Sequence, residues 1–334
     1  TKQGSHVRDA IDLKRSMMMV IIALLPALLF GMWNVGSLYY MSIGETHSLL
    51  ETFWFGFLKV LPLIIVSYGV GLGVEFIFVF LRGHEINEGF LVSGMLIPMI
   101  VPIDVPLWML AVATAFAVLI GKEAFGGTGM NIVNPALLAR AFLFFAYPAH
   151  MSGNKVWIHG ISNGTQLVDG FSGETILGQK INGISHAYSG FVDNQLSTFD
   201  LLVGNYAGSV GETSVIAIAI GAIILLYTGI ASFRIMFSVF AGGFLMASLL
   251  NAVAPAGNIL MNTPALEHMF IGGFAFGAVF MATDPVTAAQ TGKGKWIYGF
   301  LIGAFAIIIR CLNPAYPEGM MLAILFMNVF SPLI

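Results

Sequence analysis

Long apolar segments alternate with short polar ones along most of this chain. A membrane-spanning helix needs about 20 mostly apolar residues, so breaks are placed at charged residues and at Gly and Pro clusters. The first half then contains five predicted helices, at 16–36, 58–81, 89–103, 107–121 and 135–150. The second half contains five more, at 213–232, 235–252, 266–283, 296–312 and 318–334. This pattern predicts an all-α integral membrane protein of about ten transmembrane helices.

The same pattern divides the chain into a polar N-terminal segment (1–15), a first helical group (16–150), a long polar segment (151–212) and a second helical group (213–334). Hydrophobic residues make up 57% of the chain and charged residues 9%, against about 25% charged in soluble proteins, which excludes a soluble fold. The net charge of −3 is spread along the chain, so no nucleic-acid partner is expected. The single cysteine, Cys311, excludes an internal disulfide and a cysteine-rich metal site.

Basic residues indicate the orientation of the helices. With the N-terminus in the cytoplasm, nine Lys and Arg residues fall in cytoplasmic segments, and only Lys155 and Lys180 fall outside. Cytoplasmic loops of membrane proteins carry such an excess of positive charge. We therefore expect a cytoplasmic N-terminus and a periplasmic segment at 151–212.

The two helical groups share short sequence matches. The tripeptides at 119–121 and 134–136 recur at 301–303 and 313–315, and Asp104 and Asp284 have a similar offset. Because five helices is an odd number, two such repeats would have opposite orientations in the membrane. The expected architecture is a pair of inverted five-helix repeats, which resembles that of urea transporters.

A polar, glycine-containing motif lies in the long outer segment at 168–175. From its residues alone it is an accessible loop, and an ordinary Gly/Ser turn is the alternative. The pattern, with Asp169, Ser172, Gly173 and Thr175, resembles the site D-x-x-S-G-A-T, at which a separate flavin transferase joins FMN to threonine through a phosphoester. Glu174 replaces the usual alanine, and its carboxylate would repel the flavin phosphate by roughly 1 kcal/mol in water.

Further motifs extend this resemblance along essentially the whole chain, at 5–9, 84–89, 122–129, 141–148, 281–286 and 313–321. Together they resemble the family of the B subunit of the sodium-translocating NADH:quinone oxidoreductase. The D subunit of the related Rnf complex is the close alternative.

The resemblance implies a subunit that takes part in electron transfer from NADH to ubiquinone, coupled to Na⁺ export across the bacterial inner membrane. It implies covalent FMN at Thr175 and a non-covalent riboflavin. The partners would be an NADH-oxidising flavoprotein subunit, other membrane subunits, the flavin transferase, ubiquinone and the lipid bilayer. Activity would belong to the assembled complex, because no complete substrate site is visible in the chain.

Two further sites are implied by the resemblance. Riboflavin would lie near Asn131 and Asn134, which flank the glycine-rich stretch before Pro135; the alternative is that both asparagines only cap the next helix. Gly71, in the second predicted helix, falls where this family receives quinone, although Leu72 departs from the expected glycine pair.

Charged residues inside predicted helices are costly and are usually retained for a reason. Glu75 and Asp284 are such residues, and we expect both to belong to a sodium path, where carboxylates and freed carbonyls can hold a hard cation. The alternative is that they pair with Arg140, with Arg310 or with a cation of another subunit. Glu318, near the outer end of the last helix, is expected to be interfacial. Apart from Na⁺, no metal is expected.

Two other functions remain open at this stage. A stand-alone solute channel of the urea-transporter type would have the same architecture, and a scaffold subunit would need no cofactor. The motif at 168–175 favours the redox function, since neither alternative has a use for a flavin acceptor.

Overall fold

The computed structural model describes residues 13–82, 89–165, 167–255 and 257–334. The motif at 5–9 and most of the motif at 84–89 lie outside these ranges. In the first half the helices are α1 (Leu13–Ile43), α2 (Leu49–Arg82), α3 (Phe90–Met99), α4 (Leu107–Gly121) and α5 (Pro135–Ala146).

The long outer segment contains two short helices and a small sheet. They are α6 (Ile176–Ile181), α7 (Thr198–Val203), β1 (Phe171–Ser172) and β2 (Gly190–Phe191). The two strands pair antiparallel, with Phe171 opposite Phe191. Single 3₁₀ turns lie at Glu123–Phe125, Pro148–His150, Ile161–Asn163 and Ser331–Leu333.

The second half begins with α8 (Val215–Tyr227) and α9 (Phe233–Val253), followed by α10 (Ile259–Asn262) and α11 (Ala265–Phe270). The short α12 (Phe274–Phe276) continues into a π-helical turn at Gly277–Met281. The last two helices are α13 (Gly294–Leu312) and α14 (Met320–Phe330).

The all-α membrane prediction is confirmed. Within the described residues, five helices are long and apolar enough to cross a membrane: Lys14–Ile43, Leu49–Leu81, Leu107–Phe125, Phe233–Val253 and Gly294–Leu312. Four more are apolar but shorter: Phe90–Met99, Pro135–Ala146, Val215–Tyr227 and Met320–Leu333. A helix of 10 residues is only about 15 Å long, so the short helices need the buried irregular segments beside them to reach across the apolar layer.

The prediction of one continuous helix at 266–283 is wrong. The segment 266–283 breaks between α11 and α12, because Gly272 has a φ of +64° that ends the right-handed helix. The predicted helices at 89–103 and 135–150 end several residues early, whereas α1 and α2 extend beyond their predicted bounds. The predicted helix at 107–121 matches α4.

Small residues allow the helices to approach closely. A Cβ on Gly56 in α2 would lie 1.7 Å from the carbonyl oxygen of Met32 in α1, and one on Gly303 in α13 would lie 2.0 Å from that of Val239 in α9. Packing through small residues is typical of membrane helices, where the lipid removes the usual hydrophobic driving force.

Candidate functional site

Thr175 caps the N-terminus of α6. Its Oγ1 accepts a hydrogen bond from the Gly178 N–H at 3.2 Å, and its side chain is half-buried. The buried Gln179 holds this helix in place, since its amide donates to the carbonyl oxygens of Glu174 at 3.0 Å and Tyr188 at 2.9 Å. The Thr175 hydroxyl therefore lies at the fixed start of a helix and not on a free loop.

The other motif residues have local structural roles. Asp169 is exposed and precedes Gly170, whose φ is +82°. Ser172 lies in β1 and accepts a hydrogen bond from the Glu174 N–H at 3.4 Å. Gly173 leaves no room for a side chain, because a Cβ would lie 2.7 Å from the carbonyl oxygen of Asn154. The motif thus combines a turn with a close backbone approach immediately before Thr175.

Glu174 folds back over the first turn of α6. A Cβ on Gly178 would lie 3.0 Å from Glu174 Oε1, and Asn182 donates to that oxygen at 2.5 Å. Burial raises the pKa of the Glu174 carboxyl above its ordinary value and outweighs the opposing effect of the Asn182 hydrogen bond.

A cavity of about 270 Å³ brings Thr175 and Glu174 together with residues from distant parts of the chain. Apolar side chains supply part of its wall, including Phe144, Trp157 and Leu177. Polar and charged side chains supply the rest, including Arg140, Tyr206, Glu212, Tyr316 and Glu318.

Three of these residues form a buried ionic triad. Arg140 Nη1 lies 2.5 Å from Glu212 Oε1, and Arg140 Nη2 lies 2.7 Å from Glu318 Oε2. The side chains are only 6%, 7% and 13% exposed. Tyr316 donates to Glu318 Oε2 at 2.9 Å. Arg140 therefore does not pair with Glu75 or Asp284. Glu318, whose interfacial position stays a prediction, binds this guanidinium on the cavity wall.

Arg310 stabilises the helix break. Its guanidinium donates to the carbonyl oxygens of His268 at 2.7 Å, Ile271 at 3.3 Å and Glu318 at 3.3 Å, and its side chain is fully buried. A cation at the end of α11 satisfies carbonyls that the broken helix leaves without partners. The alternative in which Arg310 pairs with Glu75 or Asp284 is also wrong.

A second cavity, of about 100 Å³, is lined by Asn131, Asn134, Lys122 and Asp284 among others. Asn134 Oδ1 accepts from the Ala136 and Leu137 N–H groups at 2.9 and 3.3 Å, which makes Asn134 the N-cap of α5. Asn131 donates to the Val133 carbonyl oxygen at 3.3 Å. Both side chains have local partners, and the cavity is well below the roughly 300 Å³ at which ligand pockets begin. The structure therefore shows the capping role of Asn134, and the riboflavin site near Asn131 and Asn134 stays a prediction.

Asp284 lies beside Asn134 in the second cavity. Its carboxylate accepts hydrogen bonds from Asn134 Nδ2 at 3.3 Å, from the Val286 N–H at 3.1 Å and from Thr287 Oγ1 at 3.1 Å. Within the described part of the chain, its partners are these neutral donors and not a Lys or Arg.

Glu75 and Gly71 have partners that the sequence did not indicate. Glu75 forms a buried ion pair with Lys122 at the end of α4, and the Lys122 ammonium also lies 5.9 Å from the centre of the Phe90 ring. A Cβ on Gly71 would lie 1.9 Å from Phe90 Cζ, so Gly71 is a close-packing position between α2 and α3.

Comparison with known proteins identifies the family. The family model described as "NQR2, RnfD, RnfE family" matches residues 1–334. The chain belongs to this family. Among its relatives is the B subunit of the Na(+)-translocating NADH-quinone reductase of Chromohalobacter salexigens, 46% identical over 356 residues that cover 100% of this chain and 84% of the relative. The B subunits of the same enzyme from Ectopseudomonas mendocina and Stutzerimonas stutzeri are 44% and 45% identical, and each match covers 100% of this chain and 86% of the relative.

These relatives confirm the predicted resemblance to the B subunit. The sequence did not predict the triad of Arg140, Glu212 and Glu318. The available signal was three isolated charges next to apolar helices, but their spacing along the chain does not indicate which of them meet.

Proposed function

We propose that this chain is the B-type membrane subunit of a sodium-translocating NADH:ubiquinone oxidoreductase and carries FMN on Thr175 through a phosphoester bond. The full-length relatives of that name support the assignment to the complex. The observation that carries the cofactor assignment is the Thr175 hydroxyl, held at the start of α6 on the wall of a 270 Å³ cavity.

The residues of this cavity fit a flavin. Its volume is close to the lower bound of about 300 Å³ for ligand pockets, and apolar walls with a few convergent polar groups are typical of cofactor sites. Phe144, Trp157 and Leu177 would hold the flavin through apolar contacts, and Arg140 and Tyr206 would supply polar groups in the same cavity. The bound flavin would supply one- and two-electron transfer, while the protein excludes water and sets the local charge.

The remaining assignments concern the membrane and the complex. We place the N-terminus in the cytoplasm, 151–212 in the periplasm and the helical groups 16–150 and 213–334 in the bacterial inner membrane as inverted repeats. In support, α4 packs on α2 and α5 much as α13 packs on α9 and α14. Electrons would come from an NADH-oxidising flavoprotein subunit, and a flavin transferase would attach the FMN.

Sodium, quinone and riboflavin sites follow the same family resemblance. Asp284 is the stronger candidate for the sodium path, since neutral donors alone surround its carboxylate among the described residues. Glu75 would join the path only by exchanging its Lys122 partner. Ubiquinone at Gly71 would require Phe90 to move, and riboflavin near Asn131 and Asn134 would require a larger second cavity.

The FMN assignment is tested by co-expression with a flavin transferase, followed by intact mass and in-gel flavin fluorescence. Thr175→Ala is expected to lose both the FMN-sized mass and the fluorescence, because the acceptor hydroxyl is gone. Ser197→Ala is the matched control, since Ser197 caps α7 in the same outer segment and its loss has a similar cost of about 1 kcal/mol. A wild-type chain without added mass would contradict the proposal.

A further inference from the structure

We propose that Glu212 and Glu318 act as one redox-linked proton acceptor, which takes up a proton from water when the flavin in the neighbouring cavity is reduced. This inference rests on the proposed flavin at Thr175. The two glutamates are positioning residues that control the charge around the flavin, and they do not exchange electrons.

The two carboxyl groups share the same partners. Both bind the same guanidinium, that of Arg140, at 2.5 and 2.7 Å. Both carboxyl groups also approach Gly273. A Cβ on this glycine would lie 2.6 Å from Glu212 Oε1 and 2.8 Å from Glu318 Oε1. Because the two carboxyl groups converge on one point, additional negative charge nearby makes a proton on one of them more favourable. Such a proton belongs to the pair and not to either residue.

The cavity wall carries more negative than positive groups. Among the described residues, its charged side chains are Arg140, Glu174, Glu212 and Glu318, which are three carboxyl groups and one guanidinium. Arg310 lies behind this wall, and its donors are used by the carbonyl oxygens of His268, Ile271 and Glu318. Even with Arg310 included, full ionisation leaves the cavity with a net negative charge.

Neutral hydroxyl groups lie around the carboxyl groups of Glu212 and Glu318. Tyr316 donates to Glu318 at 2.9 Å, whereas the Tyr206 hydroxyl donates to the carbonyl oxygens of Thr213 at 3.0 Å and Phe270 at 3.2 Å. The Ser209 hydroxyl donates to the Ile100 carbonyl oxygen at 3.4 Å. Tyr206 is therefore occupied by the backbone, and among the described residues of this wall the carboxyl groups that can take up a proton are the pair and Glu174, of which only the pair binds Arg140.

The proposed step adds one electron and one proton, so the net charge of the site does not change. One electron, supplied by NADH oxidation elsewhere in the complex, enters the flavin and adds one negative charge near the pair. One O–H bond then forms on a carboxyl oxygen of the pair with a proton from water, and both charges leave on reoxidation. Because interactions between charges are strong in a buried site, proton uptake and flavin reduction should favour each other.

The test uses the purified complex and measures the midpoint potential of the covalent flavin by spectroelectrochemistry across a pH series. The wild-type potential is expected to fall as pH rises. Glu212→Gln and Glu318→Gln are each expected to raise the potential at alkaline pH and to flatten its pH dependence. Glu267→Gln is the matched control: it breaks the ion pair with Lys180, whose Nζ lies 3.2 Å from Glu267 Oε2, outside the cavity wall. This control should follow the wild type.

Intact mass separates the possible failures. If the flavin is present and both glutamine variants keep the wild-type potential and slope, the proton proposal is overturned while the FMN assignment stands. If wild type carries no flavin, both are overturned. If the variants do not assemble, the infrared difference spectrum of reduced against oxidised wild-type complex decides. A carboxylic C=O band that appears on reduction and shifts in heavy water is expected, and its absence overturns the proposal.

Discussion

Glu174 precedes the proposed acceptor and is the one departure from the acceptor pattern. Its carboxylate should oppose transfer of a flavin phosphate to Thr175 by roughly 1 kcal/mol, which corresponds to about a fivefold lower rate. We expect Glu174→Gln to be flavinylated about fivefold faster at neutral pH. Because burial raises the pKa of Glu174, the wild-type carboxyl becomes neutral sooner on acidification than an ordinary glutamate, and the two rates should converge.

The measurement is a time course of covalent fluorescence with flavin transferase at several pH values. Asp193→Asn is the control, since Asp193 is an exposed acid of the same outer segment. Equal rates for wild type and Glu174→Gln at every pH would show that the carboxylate does not affect attachment.

Glu75 and Lys122 have a structural role that can be separated from ion transport. Removing one partner leaves a buried charge unpaired, at a cost of about 3–5 kcal/mol. We expect Glu75→Gln to lower the thermal unfolding temperature in detergent, and the double change Glu75→Gln with Lys122→Met to restore most of it. A double variant no more stable than Glu75→Gln would exclude pairing as the reason for the loss.

Asp284 should behave differently, because its described partners are neutral donors. Asp284→Asn is expected to leave the unfolding temperature close to that of wild type but to weaken the stimulation of quinone reduction by Na⁺. The measurement is NADH-driven quinone reduction against Na⁺ concentration in the complex. An unchanged sodium dependence would remove Asp284 from the proposed path.

At the scale of elements, α2 and α3 meet at Gly71 and Phe90. A Cβ on Gly71 would lie 1.9 Å from Phe90 Cζ, so Gly71→Ala is expected to destabilise the protein through overpacking by about 1–3 kcal/mol. The double change Gly71→Ala with Phe90→Leu should recover stability in a thermal unfolding assay, with Phe90→Leu alone as control. If quinone reduction stays impaired when stability has recovered, Gly71 contributes to quinone reduction in addition to its role in helix packing.

The break between α11 and α12 organises both sides of the candidate site. Arg310 satisfies the carbonyl oxygens of His268 and Ile271 on the side of α11. Glu212 and Glu318 lie against Gly273, where α12 begins. Positive charge at a helix C-terminus and negative charge at an N-terminus are each favourable. Gly273 is thus the point at which both carboxyl groups of the cavity wall approach the backbone.

At the scale of the whole molecule, the proposed orientation can be tested by cysteine labelling. Cys311 is buried and can be replaced by serine. In that background we expect Asp193→Cys to react with an impermeant maleimide in intact spheroplasts, and Lys293→Cys to react only after lysis, because both positions are exposed and the proposed topology puts them on opposite sides of the membrane. The reverse pattern would invert the topology.

Local properties of the sequence determined the fold class, the positions of most apolar helices and the family. Hydrophobicity over a window of 15 to 20 residues is enough to recognise a membrane helix, and α4 was predicted to its ends. The asparagine cap before Pro135 was predictable for the same reason, since its partners lie within three residues, whereas the helix cap at Thr175 was not predicted.

Only the tertiary structure decided which charges meet. Glu75 pairs with a lysine 47 positions away, and Arg140 with a glutamate 72 positions away. Neither separation is marked in the sequence, because such pairs depend on how whole helices pack. The break at Gly272 was missed for a related reason: glycine permits a positive φ without requiring it, and the buried Arg310 that satisfies the exposed carbonyls comes from another helix.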